Sequence, residues 1–250
     1  MAVPTCPELG ATAGRCRVSG WGVRCGRMVE VLGSSNEELQ VIALVASAGG
    51  LEAVSTVLEG LPEGLGAAVL VLIHQDPERE NALVHFLQSR SRLPVLATED
   101  GARLKAGTVV VAPSGKHFLV TEGPAIALIA SGASPPSRPS ADLLLTTLAT
   151  ACRARATAVV LSGGGHDGAT GASAIHRLGG TVLASSQTTS NSFAMPQATI
   201  QRAEVINHVV ALEEIAALLA SLITTPRLED PEIVPARRAT SDRSRPGSDE

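Results

Sequence analysis

The chain has 250 residues, 44% of them apolar and 18% charged. That is enough for one sizeable core or two small ones, and too much for a mini-protein held together by staples. The 24 Asp and Glu against 20 Lys and Arg leave a formal charge of -4, so no basic excess exists to neutralise a phosphate backbone and nucleic acid is not expected as a partner. Aromatic residues are 2% with no Tyr, which leaves little from which to build stacking platforms or aromatic cages, and the core must be aliphatic.

In chain order, residues 1–38 run through Gly, Arg, Ser and Cys with neither a two-residue nor a 3.6-residue apolar period, and are read as a tail. Of the four cysteines, Cys6, Cys16 and Cys25 fall in that tail and Cys152 outside it. No pair has C-x-x-C spacing, so they read as incidental thiols of a reducing cytosol rather than as a metal or redox site. The N-terminus has no continuous apolar h-region, and the longest apolar runs, such as Ala67–Ile73, are far too short to cross a bilayer. The expectation is a cytoplasmic chain without membrane insertion.

A single domain is expected over residues 39–225. Val41–Val45 reads as a strand, followed by the Gly49-Gly50 turn and a helical pattern over Leu51–Leu58. Ala68–Ile73 is the next buried strand and Asn81–Gln88 a helix. Val95–Thr98, Thr108–Val111, Phe118–Thr121 and Ala125–Ala130 read as short strands between Gly, Pro and charged turns, and suggest a local antiparallel excursion. Helix Ala141–Arg153, strand Ala158–Leu161, helix Gly168–Leu178, strand Thr181–Ala184 and a last amphipathic helix Leu212–Ile223 complete the domain. Residues 226–250, rich in Pro, Arg, Ser, Asp and Glu, read as a disordered tail. Apolar strands alternating with helices predict an α/β fold, doubly wound, with a mostly parallel sheet covered on both faces. In such folds chemistry sits outside the carboxyl ends of the strands.

Three strand ends carry residues suited to chemistry. The first strand runs into Ala46-Ser47-Ala48-Gly49-Gly50, where small residues let the backbone turn sharply and leave the Ser47 hydroxyl beside the open N–H groups of a helix start. Ser47 is a candidate nucleophile, or simply an N-cap. The G-x-G-x-x-G spacing of a dinucleotide turn is absent, as is the G-x-S-x-G elbow. The second strand ends in Ile73-His74-Gln75-Asp76-Pro77; His74 could accept the serine proton, or be a hydrogen-bonded loop histidine. The third segment, Val159 to Gly168, is a buried strand entering the turn Ser162-Gly163-Gly164-Gly165-His166-Asp167. Its glycines could offer N–H groups to an anion, and Asp167 could orient the histidine or cap a helix. Serine, histidine and aspartate on three ends of one sheet are a stronger signal than any one of them. His117 and Lys116 stand in an A-P-S-G-K-H turn that either borders a cleft or is purely structural, while His85, His176 and His208 read as ordinary surface or partly buried residues.

Val41–Gly50, His74-Gln75-Asp76-Pro77, Glu99-Asp100-Gly101, Ala112-Pro113-Ser114-Gly115-Lys116-His117, Pro139-Ser140-Ala141-Asp142, Leu161–Gly168 and Met195-Pro196 follow one another in the chain. Together they resemble the catalytic domain of the bacterial chemotaxis protein-glutamate methylesterases (CheB), over essentially the whole domain. The resemblance implies a serine hydrolase that removes methyl groups from glutamate γ-methyl esters on the cytoplasmic helices of methylated chemoreceptors, and in some members deamidates glutamine. It places the nucleophile on Ser47, the histidine on His74 and the aspartate on Asp167, and implies no metal or organic cofactor. Backbone N–H groups of Ala48 and of the Gly163–Gly165 turn, Gly164 in particular, are the candidates for holding the oxyanion.

The departures from the family pattern are Val45 for a usual glycine, Ala48 for a common threonine, Gly164 for methionine, and His166 where a small polar residue is common. They touch the walls of the site and leave the triad in place. Family members commonly carry an N-terminal phosphoacceptor receiver domain, which the roughly 40 residues before this domain are too few to form. Phosphorylation control in cis is therefore not expected, and any regulator would act in trans. A non-catalytic regulatory module of the same fold, or an esterase for another protein ester, are the competing expectations.

Overall fold

The structure is a computed structural model and describes residues 39–74, 82–130, 139–202 and 205–224. Both expected tails, Cys6, Cys16 and Cys25, and the turn residues Gln75, Asp76 and Pro77 lie outside the described residues. In chain order the elements are β1 (Gln40–Ala46), α1 (Gly50–Gly60), β2 (Ala67–Ile73), α2 (Ala82–Gln88), β3 (Val95–Ala97), β4 (Val109–Val111), β5 (Lys116–Thr121) and β6 (Ala125–Ala130). They continue with α3 (Ala141–Cys152), β7 (Ala156–Val160), α4 (Ala169–Arg177), β8 (Thr181–Ser185), α5 (Ala194–Ile200), β9 (His208–Val210) and α6 (Ile215–Thr224).

Seven strands form one sheet in the order β3-β4-β2-β1-β7-β8-β9, and every pairing in it is parallel. Among the strands of the described residues only β5 and β6 pair antiparallel, in a separate hairpin that Arg103 also bridges at Ala125. Of the four strands read as an antiparallel excursion, β3 and β4 therefore belong to the main sheet. For β4 the reason is visible in its burial: Val109, Val110 and Val111 are buried on both faces, as a parallel strand requires, whereas β5 alternates buried and open positions, and β3 joins as the edge strand beside β4 with only Val95 buried.

The central strands alternate between two cores. Val41, Ala43 and Val45 of β1 face one side with Leu144, Leu145 and Leu148 of α3, Ile175 of α4 and Phe118 of the hairpin. Ile42, Leu44 and Ala46 face the other with Val54, Val57 and Leu58 of α1, Leu87 of α2 and Leu219 of α6. Apart from Gln40 at its start, β1 is apolar and buried, as is the whole of β2, which is why they read as continuous runs rather than as alternating strands. None of the helices among the described residues is long and apolar enough to cross a membrane.

The strand order fixes where a site can form. From β1 the chain passes to β2, on to β3 at the edge and back to β4 between them, then crosses to the other side of β1 as β7. Loops after β1 and β7 thus leave in opposite directions, and open α/β sheets bind ligands in that crevice. Two elements escaped the periodicity reading. α5 is a short helix of about two turns containing Pro196, tolerated because it lies in the first turn where an N–H has no helical partner. β9 is a three-residue edge strand with two exposed residues, too short to display a period.

Candidate active site

Ser47 follows β1, His74 follows β2 and the Leu161–Gly168 segment follows β7, so all three predicted positions lie on the carboxyl edge of adjacent strands. The β1–β2 register pairs Ala46 with Ile73, and His74 N–H continues it by donating to Ala46 O at 3.0 Å. The next pair in that register is Ser47 and His74. On the other side Ser47 N–H donates to Ser162 O at 2.9 Å. The serine is thereby fixed at its backbone between the histidine strand and the glycine-rich turn.

The turn that presents Ser47 is set by its glycines. Gly50 N–H donates to Ser47 O at 2.8 Å, and Gly49 has φ 73 and ψ 4, which makes Ser47–Gly50 a type II turn with glycine where positive φ is needed. Gly49, not Ser47, is the N-cap of α1, and no side chain caps that helix. The N-cap alternative for Ser47 therefore does not hold. Ser162, which sequence reasoning passed over, clamps the same turn. The residue is 2% exposed, and its hydroxyl donates to Ala48 O at 2.8 Å and accepts Ser192 N–H at 2.9 Å. Met195 closes the floor: its Sδ would lie 2.1 Å from a Cβ built on Gly163, and Ser47 Cβ 3.1 Å from it. A side chain at Gly163 would displace Met195.

His74 and Asp167 meet. His74 Nε2 lies 2.9 Å from Asp167 Oδ2, with both side chains largely buried. Facing a carboxylate, Nε2 carries the ring proton, so Nδ1 is left with its lone pair. Asp167 also accepts Ala141 N–H at 2.7 Å, Asp142 N–H at 2.9 Å and Ser140 Oγ–H at 3.2 Å. Burial alone would push its carboxyl up, but the hydrogen bonds from His74, Asp142 and Ala141 outweigh that and hold it below the usual carboxylate range. The aspartate is therefore the ionised partner of the histidine. It is also a helix cap, but of α3 rather than of the helix that follows it. Among the described residues no hydrogen bond joins Ser47 Oγ to His74.

The oxyanion candidates divide. Gly163 N–H is committed to Ser192 O at 2.9 Å, so the glycine turn cannot donate from there. Ala48 and Gly164 are exposed, and the hydrogen bonds of the described residues leave their N–H groups unused. His117 takes a structural place beside the site: its Nδ1 accepts Ser140 N–H at 3.1 Å, so it steadies the residue whose hydroxyl bonds Asp167. Lys116 is exposed on the β5–β6 hairpin. His85 lies in the last turn of α2, His176 in the last turn of α4, and His208 opens β9, none of them at this edge. Cys152 is a buried free thiol, and no group of three or more His, Cys, Asp or Glu among the described residues is placed to hold a metal ion. A groove of about 470 Å³ lies elsewhere, between β3, β4 and β6, lined by Leu96, Glu99, Arg103, Lys105 and Ile126. It contains no nucleophile paired with a base.

Sequence comparison agrees with this placement of the fold. The family model described as CheB methylesterase matches residues 42–219. "Protein-glutamate methylesterase/protein-glutamine glutaminase 1" of Myxococcus xanthus is 38% identical over 185 residues, covering 73% of this chain and 53% of that protein. The enzyme of the same name numbered 3 from Paramagnetospirillum magneticum is 36% identical over 182 residues, covering 73% and 51%. The chain thus spans about half the length of these curated relatives. Among solved structures, the Thermotoga maritima CheB methylesterase catalytic domain superposes with a TM-score of 0.71 at 29% identity, over 74% of this chain and 99% of that one. A fold shared with that solved domain, together with a family model that matches residues 42–219, shows that the chain belongs to the CheB methylesterase family.

Proposed function

We propose that this chain is a protein-glutamate methylesterase, hydrolysing glutamate γ-methyl esters on the cytoplasmic helices of chemoreceptors through Ser47, His74 and Asp167. The observation that carries the reading is the 2.9 Å bond from His74 Nε2 to Asp167 Oδ2 at the strand end next to Ser47. The names of the relatives supply the ester and point to a second activity on glutamine.

In this mechanism Ser47 Oγ attacks the ester carbonyl while His74 Nδ1 takes its proton, because Nε2 is already committed to Asp167. The imidazolium so formed is stabilised by a carboxylate that stays ionised. The tetrahedral oxyanion lies against the N–H groups of Ala48 and Gly164. Collapse breaks the carbonyl–methoxy bond, His74 returns its proton to the departing oxygen, and methanol leaves. Water, deprotonated by His74, then attacks the acyl-Ser47 carbonyl and releases the glutamate side chain and the free serine. Glutamine would follow the same path with ammonia as the leaving group.

The test compares the parent with Ser47→Ala for methanol release from methylated receptor helices, and labels the parent with a serine-directed phosphonate. Removal of the nucleophile is expected to lower turnover by about a thousandfold or more. Equal rates in the two proteins would refute the catalytic reading. Labelling of Ser47 without receptor turnover would move the substrate to another protein ester, and absence of both would leave a non-catalytic module.

A further inference from the structure

The carboxylate of Asp167 is held, apart from His74, by one short stretch of chain: Ser140, Ala141 and Asp142 at the start of α3. The exchange runs in both directions. Asp142 Oδ1 accepts Gly168 N–H at 3.0 Å and Gly171 N–H at 2.8 Å, both at the start of α4. Each aspartate therefore sits on the N-terminus of the helix that belongs to the other, where open N–H groups and the helix dipole favour a negative charge.

Gly168 N–H belongs to the peptide that joins Asp167 to Gly168, so Asp142 fixes the plane attached directly to the Asp167 Cα. The bond acts on a residue with φ 101 and no Cβ, so it adds a constraint that Gly168 does not supply by itself. Close packing enforces the same geometry. A Cβ on Gly171 would lie 2.9 Å from Asp142 O and 2.5 Å from Leu145 Cβ, so α3 and α4 approach at this point as nearly as two backbones can.

We propose that Asp142 is the positioning residue of the site: its carboxylate, by holding Gly168 and Gly171, sets Asp167 where it can orient His74. This rests on the reading of Asp167 as the orienting carboxylate and goes beyond it by naming what orients Asp167. The Asp142 side chain acts through Gly168 and Gly171, beside the bond that its own backbone N–H gives Asp167. Reacting groups displaced by about 1 Å lose on the order of a hundredfold in rate, so loosening this peptide is expected to reduce turnover and leave binding alone.

The experiment uses the full chain with Asp142→Ala, Asp142→Asn and Asp167→Asn, each assayed well below its own unfolding temperature. Both bonds end on one oxygen, and an amide oxygen can accept them equally. Asp142→Ala is expected to lower kcat for methanol release by about tenfold to a hundredfold with KM within about twofold, and Asp142→Asn to restore most of that loss. In proton NMR, the downfield His74 Nε2–H resonance of the parent should persist in Asp142→Asn and shift or broaden in Asp142→Ala. A residue that only stabilised the fold would lower the unfolding temperature while kcat and the His74 resonance stayed at parent values, and that result would overturn the proposal. Equal loss in the Asn and Ala variants would overturn it as well. If Asp167→Asn itself retains parent turnover, the failure belongs to the triad reading on which the proposal stands.

Discussion

Burial and hydrogen bonding compete most directly at Asp167. Its side chain is only 12% exposed, which favours the neutral acid, yet bonds from His74 and from the N-terminal turn of α3 keep it charged. The folded carboxyl thus releases its proton at lower pH than the unfolded one. Its contribution to stability is complete above the unfolded value, at about pH 4, and disappears as the pH falls through the lower folded value. The urea midpoint of Asp167→Asn is accordingly expected to lie below that of the parent at pH 7, with the gap narrowing as the pH drops below about 4. A gap that stays constant from pH 7 to pH 3 would mean the charge is not what Asp167 contributes. At this scale the sequence displayed the reacting residue types and concealed their supports. Ser162, Ser140 and Asp142 are ordinary polar residues in any window of the chain. What makes them part of the site is which N–H or C=O each one meets, and in the case of Ser162 the partners are 114 and 30 positions away.

Among the elements, the contact of α3 with α4 carries the orientation of the site, and its glycines are not equivalent. Gly171 lies in the contact, with Leu145 Cβ 2.5 Å from where its own Cβ would be, whereas a Cβ on Gly164 would meet nothing within 4 Å. Gly171→Ala is therefore expected to cost about 1–3 kcal/mol by forcing the helices apart, and Gly164→Ala to change stability by less than about 0.5 kcal/mol. Chemical denaturation of the two variants measures both. Equal midpoints would show that α3 can move away from α4 freely. Element types were largely legible, because β1, β2, β7 and β8 are buried, mostly apolar runs and the helices between them are amphipathic. Boundaries and pairings were less so. Helix α3 was expected to include Arg153, which instead leaves the helix with φ 51, and β3 and β4 were drawn into an antiparallel excursion although they join the parallel sheet.

For the molecule as a whole, Cys152 reports how tightly the two-faced sheet is closed. It lies at the end of α3, fully inaccessible in the core, and burial raises its thiol above the ordinary range despite the opposing charge of Arg155. Alkylation of the Cys152 peptide, followed by mass spectrometry, is expected to proceed about a thousandfold or more slowly in the native protein than in urea, since reaction requires opening of the core. Native labelling at the unfolded rate would indicate that the α3 side of the sheet is open. By itself the sequence determined the α/β class, the aliphatic core and the residue types at the strand ends, because burial periodicity and turn chemistry are local properties. Only the tertiary structure decided that β2 and β7 flank β1, that His74 meets Asp167 from 93 positions away, and that Asp142 and Asp167 exchange helices. Those pairings depend on the order in which strands close a common sheet, and that order is settled by packing across the whole core rather than by any neighbouring residues in the chain.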